Sequence, residues 1–156
     1  MSFYLDEIKN KYEQGKYQEA IALIEKVEQE GLITPDVLVW KGRCLQLIDE
    51  ESSYQLSDIE STFKEALEID AEFTPAIIEL AWFYLNVLDD ASKAIPLFDK
   101  AINLHKQLIT EAVSGMAKCL LEVKTKEEAR EYLHEIAHSL LDSNEIQSII
   151  ADIDST

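Results

Sequence analysis

Residues Glu65–Leu104 read EALEIDAEFTPAIIELAWFYLNVLDDASKAIPLFDKAINL. Within this stretch Ala94, Phe98 and Ala101 stand four and three apart, on one face of a helix. The same face recurs 35 residues earlier as Ile59, Phe63 and Ala66, and 35 residues later as Ala129, Leu133 and Ile136. A further copy, Ala20, Ile24 and Val27, lies 39 residues before the earlier of these. A fixed period of this size is the signature of stacked helix pairs, none of which buries its apolar face without its neighbours.

Start and stop signals divide the chain accordingly. A first helix runs from about Phe3 to Glu13 and breaks at Gly15; a second runs from about Tyr17 to Glu30 and stops at Gly31. Thr34-Pro35 and Thr74-Pro75 look alike and open a third and a fifth helix, with Thr as cap and Pro in the first turn. Ser57 with Glu60, and Thr125 with Glu128, have the spacing of capping boxes before the fourth and eighth helices. Asp89-Asp90 precede the sixth, and a seventh is expected over about Leu108–Val123, leaving His105 and Lys106 at the end of the sixth. Pro96 lies early in the sixth helix. The one irregular stretch, Asp49–Gln55, accounts for the 39-residue spacing and is either a longer turn or a contact loop. A ninth, capping helix is expected over 143–154, with Ile146, Ile149, Ile150 and Ile153 on one stripe and a polar opposite face. The expectation is a single all-α domain of four helix pairs, over about residues 3–31, 34–70, 74–105 and 108–141, plus that cap.

Glu65–Leu104 resembles a tetratricopeptide repeat (TPR). Ala81 stands where the family places a small residue at the helix crossing; Ile77, Leu80 and Tyr84 match large apolar positions of the first helix, and Ala94, Phe98 and Ala101 match the second. In the preceding repeat either Gly42 or Lys41 aligns with Ala81, and Ile59 stands where a small residue is the rule. The resemblance implies a right-handed α-α superhelix whose first helices line a concave groove that binds a protein or peptide. Carried onto this chain, the groove residues are Ile78, Trp82, Leu85 and Asn86, with Val39 and Arg43 in the preceding repeat. Members that clamp a C-terminal carboxylate use Lys and Asn where this chain has Ile78 and Trp82. Trp82 is read either as core or as an exposed anchor.

Charge narrows the partner. The chain of 156 residues carries 31 acidic and 14 basic side chains, a net of −17. From Asp49 to Asp90 there are 12 acidic residues and one lysine. Such a field repels nucleic-acid phosphates and anionic lipid and attracts a basic protein surface. Asp49, Glu50, Glu51, Asp58 and Glu60 form the candidate acidic patch, and a solvated surface is the simpler alternative. Cys44 and Cys119 are expected to be buried, reduced thiols. With no apolar run of membrane-spanning length and no signal-peptide pattern at the start, the expected location is cytoplasmic.

The chemistry-bearing motifs are few. His134-Glu135-Ile136-Ala137-His138 spells H-E-x-x-H, the zinc-hydrolase pattern in which two histidines one turn apart bind metal and the glutamate activates water. No G-x-x-H continuation follows, so a solvated helix face is the favoured reading, and no cofactor or catalytic residue is assigned. The leading expectation is a non-enzymatic adaptor that binds a basic protein or peptide. The alternatives are an immunity-type inhibitor of a basic toxin or nuclease, a chaperone-like adaptor for a secreted protein, a zinc hydrolase, and a self-associating structural protein.

Overall fold

The computed structural model describes residues 2–48 and 54–141. The predicted capping helix at 143–154, and most of the irregular Asp49–Gln55 stretch, lie outside the described residues. Among the described residues the protein is all-α, with seven helices and no strand: α1 Ser2–Glu13, α2 Tyr17–Gln29, α3 Pro35–Leu45, α4 Leu56–Ile69, α5 Thr74–Asn86, α6 Ala91–Val123 and α7 Lys126–Leu141. The chain divides into two compact units at Leu104/His105.

In the first unit each helix from α1 to α5 packs on the next, and α3 also touches α1 and α5. Glycines close the early turns. At Gly31, φ is 72°, and the following backbone N–H groups return to the helix end: Gly31 to the Glu28 carbonyl at 2.9 Å and Leu32 to Val27 at 3.1 Å. This pair of bonds satisfies carbonyls that α2 cannot pair internally. At the start of α3 the Thr34 hydroxyl accepts the Val37 N–H at 3.4 Å, and Pro35 occupies the first turn.

The repeated faces supply part of the core, beside Ile8, Val37, Leu38, Cys44, Ile77, Leu80 and Phe83. Ala20, Ile24, Val27, Ile59, Phe63, Ala66, Ala94 and Ala101 are all buried. The tightest approach is between α3 and α4. A Cβ placed on Gly42 would overlap the Phe63 ring, lying 2.9 Å from its Cδ1. Gly42, not Lys41, is therefore the counterpart of Ala81; Lys41 points outward into an ion pair with Glu28 at 2.7 Å. Ile59 packs in the same cluster as Phe63, Leu80 and Phe83.

Four expectations are corrected. The fifth helix is capped by Phe73 rather than Thr74, whose hydroxyl instead donates to the Glu72 carbonyl at 3.3 Å. Phe73 packs against the Leu38, Val39, Ala66 and Ala76 cluster, and that contact sets where the helix begins. The fourth helix starts two residues before the predicted box: Asp58, not Glu60, reaches back, accepting the Gln55 N–H at 2.7 Å. The turn expected between the sixth and seventh helices is absent, because α6 runs unbroken for 33 residues. No Gly or Pro interrupts Ile102–Leu108, so nothing there stops helix propagation, and His105 and Lys106 lie mid-helix rather than at a C-terminus. Finally, Cys44 is buried but Cys119 is exposed.

In the second unit, the last part of α6 turns into α7 through Lys124 and Thr125. The predicted box is present: the Thr125 N–H and hydroxyl both donate to Glu128 Oε2, at 2.9 and 3.0 Å, and the Glu128 N–H returns to the Thr125 hydroxyl at 3.3 Å. Leu120 and Ala129 are buried at the base of this hairpin.

Gly42→Ala is expected to destabilise the protein by about 1–3 kcal/mol, the usual range for overpacking a core. In urea unfolding, the double variant Gly42→Ala/Phe63→Leu should recover part of that loss, a coupling that two independent sites would not show. The thiols should also separate. Burial pushes the Cys44 pKa up to about 11. At pH 8, Cys119 should react with a thiol reagent in the folded protein and Cys44 only after denaturation.

Candidate interaction surface

The layer made by α1, α3 and α5 carries a linked row of side chains. Arg43 on α3 donates from Nε to Glu79 Oε1 on α5 at 2.7 Å. The same guanidinium lies over the Trp40 ring at 4.6 Å from its centroid. Tyr12 on α1 meets the other part of Trp40 edge-on, with centroids 5.1 Å apart, and Lys9 Nζ is 5.9 Å from the Trp40 ring. Tyr12, Arg43, Gln46, Leu47 and Glu79 line a recess of about 370 Å³. Partial burial raises the Tyr12 pKa.

The predicted groove residues fall into three environments. Trp82 is 48% exposed, so it is not core. Its ring is nonetheless oriented, edge-on to Phe98 with centroids 5.1 Å apart. Ile78 and Leu85 are half-buried beside it on α5, and Asn86 is exposed. Val39 is the correction: only 3% exposed, it packs with Leu38, Ala66 and Ala76. Helices α4 and α5 seal it, which is the penalty of a position on a helix flanked on both sides. Arg43 does lie at the surface row, but it is already paired with Glu79 and stacked on Trp40.

Sequence reasoning missed Tyr12, Trp40 and Glu79. Aligning Gly42 with Ala81 would have found two of them, since Trp40 and Glu79 each precede the small residue by two positions. Their register therefore matches, one repeat apart, and their side chains meet the same arginine.

Of the candidate acidic patch, the described residues are Asp58 and Glu60, and both are engaged within the protein. Asp49, Glu50 and Glu51 lie outside the described residues. Asp58 serves the start of α4. Glu60 accepts from Lys64 and from the Tyr84 hydroxyl, the latter at 2.7 Å; these bonds, Lys64 first, lower its pKa. Asp90 is lowered likewise by Ser92 and Lys93, and Glu128 by the Thr125 N–H and hydroxyl.

His134, Glu135 and His138 are all exposed on α7. Among the described residues no group of three or more His, Cys, Asp or Glu side chains comes together to hold a metal. No described helix is long and apolar enough to cross a membrane.

No protein-family model, curated protein or solved structure matches this chain.

The lowered carboxylates set a pH dependence with a definite sign. A carboxyl whose folded pKa lies below its unfolded value, roughly 4, contributes stability above that value and loses it as pH falls through the folded pKa. Acidification from pH 7 also relieves the mutual repulsion of 31 acidic groups. The melting temperature should therefore rise from pH 7 to about 5 and fall below about 4, as Glu60, Asp90 and Glu128 are protonated. Thermal melts across this range check it, and Glu128→Gln should shrink the low-pH fall.

Proposed function

We propose that this chain is a non-enzymatic protein-binding module: a small acidic adaptor in which α1, α3 and α5 form the inner layer of a right-handed TPR-like superhelix. The observation that carries this reading is Trp82. A large aromatic ring half in solvent offers a ready contact surface, and this one is held in orientation by Phe98 rather than left to swing. Tryptophan is enriched among residues that dominate binding energy, because one rigid ring supplies much contact area at little entropic cost. Ile78 and Leu85 lie within a helical turn of it and extend the apolar contact, while Asn86 supplies a polar group at its edge.

The partner favoured by the electrostatics is a basic protein or peptide. The 12 acidic residues of Asp49–Asp90 surround one lysine, and their summed field acts beyond the pairings of individual carboxylates, speeding encounter with a cationic surface by ~10–10³-fold at low salt. Arg43 serves as a positioned bridge: paired with Glu79, it offers a partner a neutral, partly buried pair rather than a free cation. An exchange in which a partner's arginine takes over Glu79 would release Arg43 to a carboxylate on the same ligand.

Trp82→Ala tests the reading. The variant should lose about 1 kcal/mol of stability or less, the scale of one edge-on aromatic contact. Capture of partner from native lysate should fall by ~30-fold, the equivalent of about 2 kcal/mol. The association rate of wild type should drop steeply as salt is raised. Equal capture of the same proteins by wild type and variant would sink the proposal.

A further inference from the structure

In the first unit, the layer of α5 with α6 as far as Leu104 repeats the layer of α3 with α4, in a register 39 residues on for α5 and 35 for α6. On the earlier layer α5 covers one side. Val39 is sealed in a cluster with Ala76 of α5, and Leu67 on α4 packs against that cluster. Glu60 on α4 accepts the Tyr84 hydroxyl of α5 at 2.7 Å. The residues in the same register on the later layer are Ile78, Ile102 and Ile95. Ile78 is half-buried, and Ile102 and Ile95 are 64% and 66% exposed. Phe98, in register with the fully buried Phe63, is likewise half-buried, with the exposed Trp82 edge-on to it. Residues 95, 98 and 102 have helical spacing. With Ile78 and Trp82 they make one apolar face, open where its counterpart is covered by α5.

We infer that this face docks a basic, amphipathic α-helix of a partner protein, laid on α5 and α6 as α5 is laid on α3 and α4. The inference rests on the reading of the chain as a protein-binding module and names the kind of partner. Shape selects a helix, because a helix fills the same face one repeat earlier. Ile95 and Ile102 lie seven residues apart, about 10.5 Å along α6, which is the span from i to i+7 on an incoming helix read through its apolar stripe. Charge selects the sign. Asp99 lies on the same stripe, four residues after Ile95 and three before Ile102. The earlier layer has Lys64 in that register, paired with Glu60. Asp99 is exposed, and its hydrogen-bond donor, Asn103 at 3.0 Å, is neutral. Both lysines of Thr74–Leu104 are engaged, Lys93 with Asp90 at 3.0 Å and Lys100 with the Ala71 carbonyl at 2.6 Å. Residues 1–104 hold 21 acidic and 9 basic side chains. A second copy therefore brings like charge to this face, whereas a helix with lysine or arginine flanking its apolar stripe brings opposite charge to Asp99.

Calorimetric titration of the full chain tests this with three peptides of about 18 residues, five helical turns: an amphipathic Leu/Lys helix, a scrambled sequence of the same composition, and an amphipathic Leu/Glu helix. The Leu/Lys helix should bind at least tenfold more tightly than either of the others. Ile95→Gln with Ile102→Gln, at exposed positions where folding does not depend on them, should weaken it at least tenfold and leave the melting temperature unchanged. Asp99→Lys should weaken the Leu/Lys helix at least threefold and strengthen the Leu/Glu helix. The inference is overturned by absence of binding, by equal binding of the helix and its scrambled form, or by affinities that ignore the isoleucine or the Asp99 changes. Self-association that grows with protein concentration and is abolished by the two glutamines would also overturn it, assigning the face to a second copy. In lysate capture, a partner lost with Trp82→Ala but kept with Ile95→Gln/Ile102→Gln would overturn this inference alone and leave the adaptor reading in place.

Discussion

The first unit depends on one contact, the backbone of α3 at Gly42 pressed against the ring of Phe63. The ring is fully buried, and a fully buried side chain of this kind stabilises by roughly 1.5–3 kcal/mol. That gain requires a hole in α3, which only a residue without Cβ provides. Glycine in a helix interior costs about 1 kcal/mol relative to alanine. The packing outweighs the propensity here because the ring occupies the vacated space. The consequences spread along the chain. With α3 and α4 this close, Cys44 is sealed beside Ile59 and Phe63, and α5 can lie against α3 so that Glu79 meets Arg43.

The polar contacts then follow from the packing rather than cause it. Arg43 bridges α3 and α5 because those helices are already adjacent. Its stacking on Trp40, with Tyr12 edge-on to the same ring, ties α1 to α3. Such a row of aromatic and charged groups, partly buried and mutually paired, is rigid at its base and open at its rim. Trp82, a turn beyond Glu79 on α5, has no such network, and its exposure is the feature that separates the two neighbouring repeats.

Much of the fold was legible because the signals were local. The recurrence of Ala20, Ile59, Ala94 and Ala129 named the buried faces, Gly15 and Gly31 named the turns, and Thr125 with Glu128 named a helix start. The errors came where tertiary contacts override local chemistry. Thr74 is a better cap in isolation than Phe73, but Phe73 is anchored in a core cluster. A break just before Leu108 was inferred from a repeat length, although Asn103-Leu104-His105-Lys106-Gln107 contains nothing that stops a helix. The site was harder to read than the fold. Val39 and Ile78 share a register, yet one is sealed and the other half-open. That difference is set by what packs over each helix and leaves no trace in the residues themselves.

The continuity of α6 gives Pro96 a meaning beyond its position near the helix start. A proline has no amide hydrogen to give the carbonyl four residues before it, so the Ser92 carbonyl is left to water or to the side chains of the first turn. Bending at that point breaks no ladder bond, whereas bending farther along does. Within the first unit, the turn from Ser92 to Pro96 is therefore where α6 bends at least cost.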